Sequence, residues 1–200
     1  MISDTITTWG AVVDIKKDDY VRILDFLSQG KSDLPSHKRK PIAQGIGEKY
    51  FTLLEVSPKP GINLTLGERV YVGEGPRDKI DHIERRLKHD WLTSVAKSEL
   101  PVVLQQIITQ DEQRFVGFYN TCGIISPRLH KLETLPKIGK RHRQEILTER
   151  DITPFTSFED MRARLKSTPD PVTILAEKII EEIKGESKYY LFSPSPAIKE

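Results

Sequence analysis

The chain has 200 residues, 37% hydrophobic and 30% charged, with a net charge of +2. This suits one or two packed domains and excludes both a disordered chain and a general polycation. A single cysteine, Cys122, rules out an intramolecular disulfide framework. With no apolar run near the ~20 residues that cross a bilayer and no signal-like start, the expectation is a cytoplasmic protein without membrane contact.

The first ninety residues read as short strands. Residues 9–15 carry Ala11, Val12, Val13 and Ile15, and residues 20–27 carry Val21, Ile23, Leu24 and Phe26. A polar loop over 28–40 contains the basic run His37-Lys38-Arg39-Lys40. Strands follow at 41–45 and 49–56, then the turn cluster Ser57-Pro58-Lys59-Pro60-Gly61, then a strand at 69–73. Short strands at this spacing predict a small antiparallel barrel, OB-like by preference with an SH3-like barrel as competitor. Over 75–91, Ile80, Ile83 and Leu87 are spaced for a short amphipathic helix, with a final strand through 80–83 as the alternative. Its mixed charges mark a solvated face, with Arg85, Arg86 and Lys88 in reach of phosphates as the second reading.

Beyond Trp91 the pattern turns helical. Ser98 is the predicted N-cap of a long helix whose apolar stripe runs from Val103 through Phe118 to Tyr119, stopping near Gly123. Residues 127–165 predict two short helices joined by a tight turn. The first starts at Pro127 behind Ser126 and ends at Leu135-Pro136; the second follows Ile138-Gly139 and packs through Ile146 and Leu147. Ser157 caps a further helix that buries Met161 and Leu165, with Phe155 and Phe158 as core plugs. Asp170 and Pro171 open the last helix, which ends at Gly185. The tail, Lys188-Tyr189-Tyr190-Leu191-Phe192, reads as a strand that adds to the barrel edge, its tyrosines packing rather than stacking on bases. The fold class is therefore α+β: an OB-like β-barrel over 1–92, a helical domain over 93–185 with the paired helices at 127–150, and a tail over 186–200.

The turn between those paired helices carries Lys137, Lys140, Arg141 and Arg143, and residues 126–166 hold 10 basic against 6 acidic residues. Cations oppose the helix dipole at an N-terminus. The arrangement suits an external anion held between the charges and the exposed N–H groups, such as a phosphate. The stretch resembles a helix-hairpin-helix motif, whose usual hairpin is Leu-Pro-Gly-Ile-Gly. Leu135, Pro136, Ile138 and Gly139 match, whereas Lys137 replaces the first glycine and Arg143 a small packing residue. The resemblance implies that the hairpin amides grip a nucleic-acid backbone phosphate; a helical pair used for packing or protein contact is the other reading.

The order of the pieces resembles, over the whole chain, a family of archaeal proteins of unknown function to which RNA binding is ascribed. The residues that carry it are 49–56, Gly67-Glu68-Arg69-Val70-Tyr71-Val72-Gly73, Glu99-Leu100-Pro101 and Pro154-Phe155-Thr156-Ser157-Phe158-Glu159-Asp160. It implies an OB-like barrel followed by a helix-hairpin-helix domain, and no reaction.

No catalytic constellation stands out. Cys122 with His130 lacks a surrounding motif, the five histidines show no zinc-ligand spacing, and Gly45-Ile46-Gly47 and Gly73-Glu74-Gly75 are too short for a phosphate loop. The expectation is a non-enzymatic nucleic-acid binder without cofactor or metal. Its predicted contacts are Lys137, Ile138, Gly139, Lys140, Arg141 and Arg143 at the hairpin, Lys38, Arg39 and Lys40 in the basic run, and Tyr50 and Tyr71 on the barrel. Phe51 is a further stacking candidate, although adjacent Tyr50 and Phe51 cannot both face outward on a strand. RNA rather than DNA comes from the resemblance alone. The competing function is a protein–protein adaptor in a ribosome- or repair-associated complex, with Glu177, Glu181 and Glu182 as its acidic face.

Overall fold

A computed structural model describes residues 7–8, 11–12, 17–30, 35, 37 and 39–195. Most of the strand expected over 9–15 lies outside them. Its remainder, β2 (Ala11–Val12), pairs with β1 (Thr7–Thr8) in a two-stranded ribbon.

The main sheet has five antiparallel strands: β3 (Tyr20–Leu27), β4 (Ile42–Gly47), β5 (Leu53–Pro58), β6 (Arg69–Tyr71) and β7 (Ile80–Arg86), in the order β6-β3-β4-β5-β7. It curls into a half-barrel, and both of its faces are used. Val21, Ile23, Ala43, Leu54, Val56, Leu64, Val70, Val72 and Ile80 fill the concave side. Leu24, Ile46, Phe51 and Leu53 point the other way, into the core they share with the helices. The register of β3 on β4 shifts between Ile23 and Asp25. Val21 and Ile23 face the concave core and Leu24 the helices by ordinary alternation, and the bulge is why Phe26 then returns to the concave side. β4 and β5 are buried along their whole length, so they show no alternation. Residues 80–86 form a strand, the alternative reading of this stretch, rather than the helix suggested by the spacing of Ile80, Ile83 and Leu87.

The turn from β4 to β5 is tied by one carboxylate. Asp18, 5% exposed, accepts the N–H groups of Lys49 and Tyr50 at 2.8 Å each and of Thr52 at 3.4 Å. It thereby holds Phe51 at φ 57°, a conformation bulky residues avoid, with its ring buried. Gly47 is required here, because a Cβ on it would lie 2.0 Å from the Asp18 carboxylate.

The helices are α1 (Ser94–Gln110), α2 (Glu112–Thr121), α3 (Lys140–Ile152), α4 (Phe158–Arg164) and α5 (Pro171–Lys184). The long helix expected from Ser98 starts earlier, capped by the Thr93 side chain, and Ser98 bonds back to the Ser94 carbonyl inside it. It also breaks at Asp111, whose φ of −103° and ψ of 41° turn α2 away, so that Phe115 and Tyr119 meet the core. Ser157 and Asp170 cap α4 and α5 as expected, and Gly185 ends α5 in the left-handed conformation at φ 77°. The described part of the tail is no strand. Glu182, 2% exposed, accepts the N–H groups of Leu191, Phe192 and Ser193. This brings Phe192 against Phe115 and Phe118, on the helices rather than the barrel edge. Because one core spans the outer sheet face and all the long helices, the sheet and helices pack as one body.

Candidate nucleic-acid interface

Upstream of α3 the chain forms no first α-helix. Ser126 and Pro127 belong to a β-hairpin made by β8 (Ile124–Ser126) and β9 (Leu129–His130), followed by a 3₁₀ turn over Lys131–Thr134. His130 caps that turn. Its Nδ1 accepts the Leu132 N–H at 3.1 Å, while the Glu133 carboxylate accepts the His130 N–H at 3.2 Å. Burial, then the nearby Arg150 and Arg143, push the His130 pKa down and keep the ring in the neutral form this bond needs.

Leu135 and Ile138 are buried and clamp the hairpin from within. Between them Lys137 adopts φ 62°, so this lysine takes up the left-handed conformation a glycine usually supplies. Its carbonyl accepts from His142 Nδ1 at 2.9 Å. Gly139 is the N-cap of α3 at φ −100°, and so not the left-handed position. No side chain caps this end, and the first turn holds no acidic residue. The Arg143 N–H bonds the Gly139 carbonyl at 2.9 Å, leaving the N–H groups of Lys140, Arg141 and His142 without an intrahelical acceptor. A Cβ on Gly139 would meet no atom within 4 Å, so internal packing does not demand glycine there.

The four predicted cations divide into two pairs. Lys137 Nζ contacts Glu177 of α5 at 2.5 Å, and Arg143 donates to Glu133 at 2.9 Å. Lys140 and Arg141 are exposed, and neither has a carboxylate within 4.0 Å among the described residues. Arg143 therefore braces the hairpin rather than facing outward. Ile138 contributes packing.

The barrel candidates fare differently. Phe51 is buried against Phe115, their ring centroids 6.4 Å apart, and is no stacking surface. Tyr71 is half-buried, edge-on to Tyr20 at 5.2 Å, with its hydroxyl accepting the Gly75 N–H. Tyr50 lines a groove of 520 Å³ with Lys49, Arg114 and Phe192, its ring beneath Lys49 Nζ at 5.2 Å. Arg39 and Lys40 are exposed; Lys38 lies outside the described residues. The acidic face expected of an adaptor is largely spent internally, with Glu177 on Lys137 and Glu182 buried under the tail.

Trp91 has no role in the sequence reading, yet it is 52% exposed. The Arg85 guanidinium lies 5.4 Å and the Lys88 ammonium 5.6 Å from its ring centroid. The signal available was an indole closing a run of basic residues that also holds Arg86 and His89.

A family described as a protein of unknown function (DUF655) has a model that matches residues 17–194. The chain belongs to the DUF655 family. It is 45% identical over 179 residues, 88% of this chain and 80% of the relative, to the uncharacterized protein MJ0038 of Methanocaldococcus jannaschii. The crystal structure of Af1531 from Archaeoglobus fulgidus superposes on this DUF655 chain with a TM-score of 0.85 at 44% identity, covering 88% of this chain and all of that one. Both similar proteins are archaeal. No helix among the described residues is long and apolar enough to cross a membrane.

Proposed function

We propose that this DUF655 protein is a non-enzymatic nucleic-acid-binding protein that grips a backbone phosphate at the 137–141 hairpin. The observation that carries the reading is the N-terminus of α3. It is left uncapped by any side chain, flanked by the outward-facing Lys140 and Arg141, and preceded by a left-handed lysine where the helix-hairpin-helix motif has glycine. Backbone N–H groups, a helix dipole and two exposed cations with no carboxylate within 4.0 Å among the described residues converge there, and each favours a phosphate over solvent. Contacts of this kind position a nucleic acid without reading its sequence.

The curled sheet serves in this proposal as an OB-like partner module. Its support is a five-stranded, all-antiparallel curl whose end strands β6 and β7 do not pair with each other. Since β4 and β5 are buried on both faces, the sheet makes its contact along the exposed β7 edge and the segment after it, not across its middle. RNA is the proposed ligand on the strength of the family resemblance, and titration with DNA of the same sequence decides between the two.

The test is salt dependence. Fluorescence anisotropy with a labelled single-stranded RNA should give an affinity that falls steeply with salt. Lys140→Ala/Arg141→Ala should reduce the slope of log K against log [salt] by about 1 to 2. A slope identical in wild type and variant overturns the hairpin as the phosphate site.

A further inference from the structure

Trp91 is held in place from below. Gln44, 2% exposed, donates through Nε2 to the Trp91 carbonyl at 3.1 Å and accepts the Thr93 N–H at 2.8 Å. The Thr93 hydroxyl donates to Asp25 at 2.6 Å, and the same oxygen caps α1 by accepting the Ala96 N–H. One buried amide on the central strand thus fixes the end of the short 3₁₀ turn His89–Trp91 and the start of α1 against the sheet. Arg85 is also anchored: its Nε donates to Glu55, 5% exposed, at 3.1 Å. The carboxylate nearest in sequence, Asp90, lies beside His89 Nδ1 at 3.6 Å.

A single exposed indole is ordinary on a protein surface. Here two buried polar side chains fix the backbone beneath a half-exposed indole and the guanidinium beside it. Cations at 5.4 and 5.6 Å from the ring centroid lie within cation–π range. A flat aromatic surface with flanking cations is complementary to a base carrying its own phosphate. It is the arrangement by which single-strand binders hold bases without selecting sequence. The 3₁₀ turn also touches α5, the helix whose Glu177 pairs with Lys137 of the hairpin. That helix has 14 residues, so it is roughly 21 Å long.

We propose that Trp91, with Arg85 and Lys88, is a base-stacking subsite for single-stranded nucleic acid, the bases stacking on the indole and the cations taking the adjoining phosphates. The subsite rests on the nucleic-acid reading above, but its chemistry is distinct: it needs bases, whereas the hairpin needs phosphates.

The experiment uses the full chain carrying Trp9→Phe, which leaves Trp91 as the one indole. It is titrated with an oligouridylate of about ten nucleotides, within the site sizes of single-strand-binding barrels, and with an abasic oligomer of equal length and charge. The oligouridylate should quench and shift the Trp91 emission, and the abasic oligomer should bind more weakly without quenching. In the wild-type background, Trp91→Ala should weaken oligouridylate binding roughly 5- to 150-fold with an unchanged salt slope, and Trp91→Phe should retain most of the affinity. Thermal melting of both variants checks that the fold is intact. Salt-dependent binding that leaves Trp91 emission and Trp91→Ala affinity unchanged overturns the subsite while leaving the hairpin. Failure of every probe to bind at low salt overturns both. Binding only of a protein partner that buries Trp91 assigns this surface to the adaptor class and likewise overturns it.

Discussion

Replacing Gly139 by Asp should abolish nucleic-acid binding and leave the fold as stable as before, or slightly more so. The two effects separate because Gly139 is the N-cap of α3 and its φ of −100° is open to any residue. A Cβ there meets nothing within 4 Å, so the substitution creates no clash. Asp is moreover a preferred N-cap, better than Gly by a few tenths of a kcal/mol, since its carboxylate accepts the free N–H groups of the first turn. In doing so it occupies the position proposed for the phosphate and repels it. Gly139→Asn has nearly the same shape and capping ability without the charge. The expected order of affinity is wild type, then Asn, then Asp with no measurable binding, while melting temperatures stay level or rise in the reverse order. Equal affinity for all three would remove the hairpin from the interface.

The largest effect on stability should come from the Asp18–Gly47 contact. Gly47→Ala places a methyl 2.0 Å from a carboxylate that is fixed by amide N–H groups of Lys49, Tyr50 and Thr52. Neither group can move without loosening the turn that carries Phe51 at φ 57°. We expect a cost of about 3 kcal/mol, the upper range of overpacking within a rigid core. For a chain of this size that lowers the melting temperature by roughly 6–12 °C. Asp18→Ala should cost about as much, because it removes a buried acceptor of charge-assisted hydrogen bonds. The double variant is the informative one. With the carboxylate gone, the methyl introduced by Gly47→Ala has space, so the second substitution should add less than about 1 kcal/mol. Strict additivity in chemical denaturation would contradict the contact.

These two sites differ in how far the sequence announces them. Gly139 stands in a motif whose spacing is legible, and its N-terminal cations conflict visibly with the helix dipole. Asp18 is one of two adjacent aspartates ahead of β3, and nothing local shows that it reaches across to residues 49–52. The same division holds across the fold. β3 is legible from its apolar run, and α4 and α5 from Ser157, Asp170 and Gly185, since caps are local chemistry. The stretch before the hairpin misleads because Pro127, Leu129, Leu132 and Leu135 suit a helix as well as a β-hairpin followed by a 3₁₀ turn. The deciding group is His130, which caps through a buried neutral imidazole, a role seldom given to histidine. β7 is legible only as the second reading, for another reason. It is an edge strand whose residues after Ile80 are exposed on both faces, so its charges keep the edge soluble and erase the alternation that marks a strand. Of the three candidate aromatics only Phe51 is buried, for a topological reason: it sits where the sheet meets the helices. Meanwhile Trp91 lies outside any regular strand and gains its setting from Gln44, 47 residues away.

The hairpin's role is tested most directly by the amide resonances of the isotopically labelled protein during titration with a single-stranded RNA. A bound phosphate should move the amide proton signals of Gly139, Lys140, Arg141 and His142 downfield together and saturably. These shifts should be absent in Gly139→Asp and diminish as salt is raised. Saturable binding that leaves those four amides in place, with shifts confined elsewhere on the surface, would contradict the account.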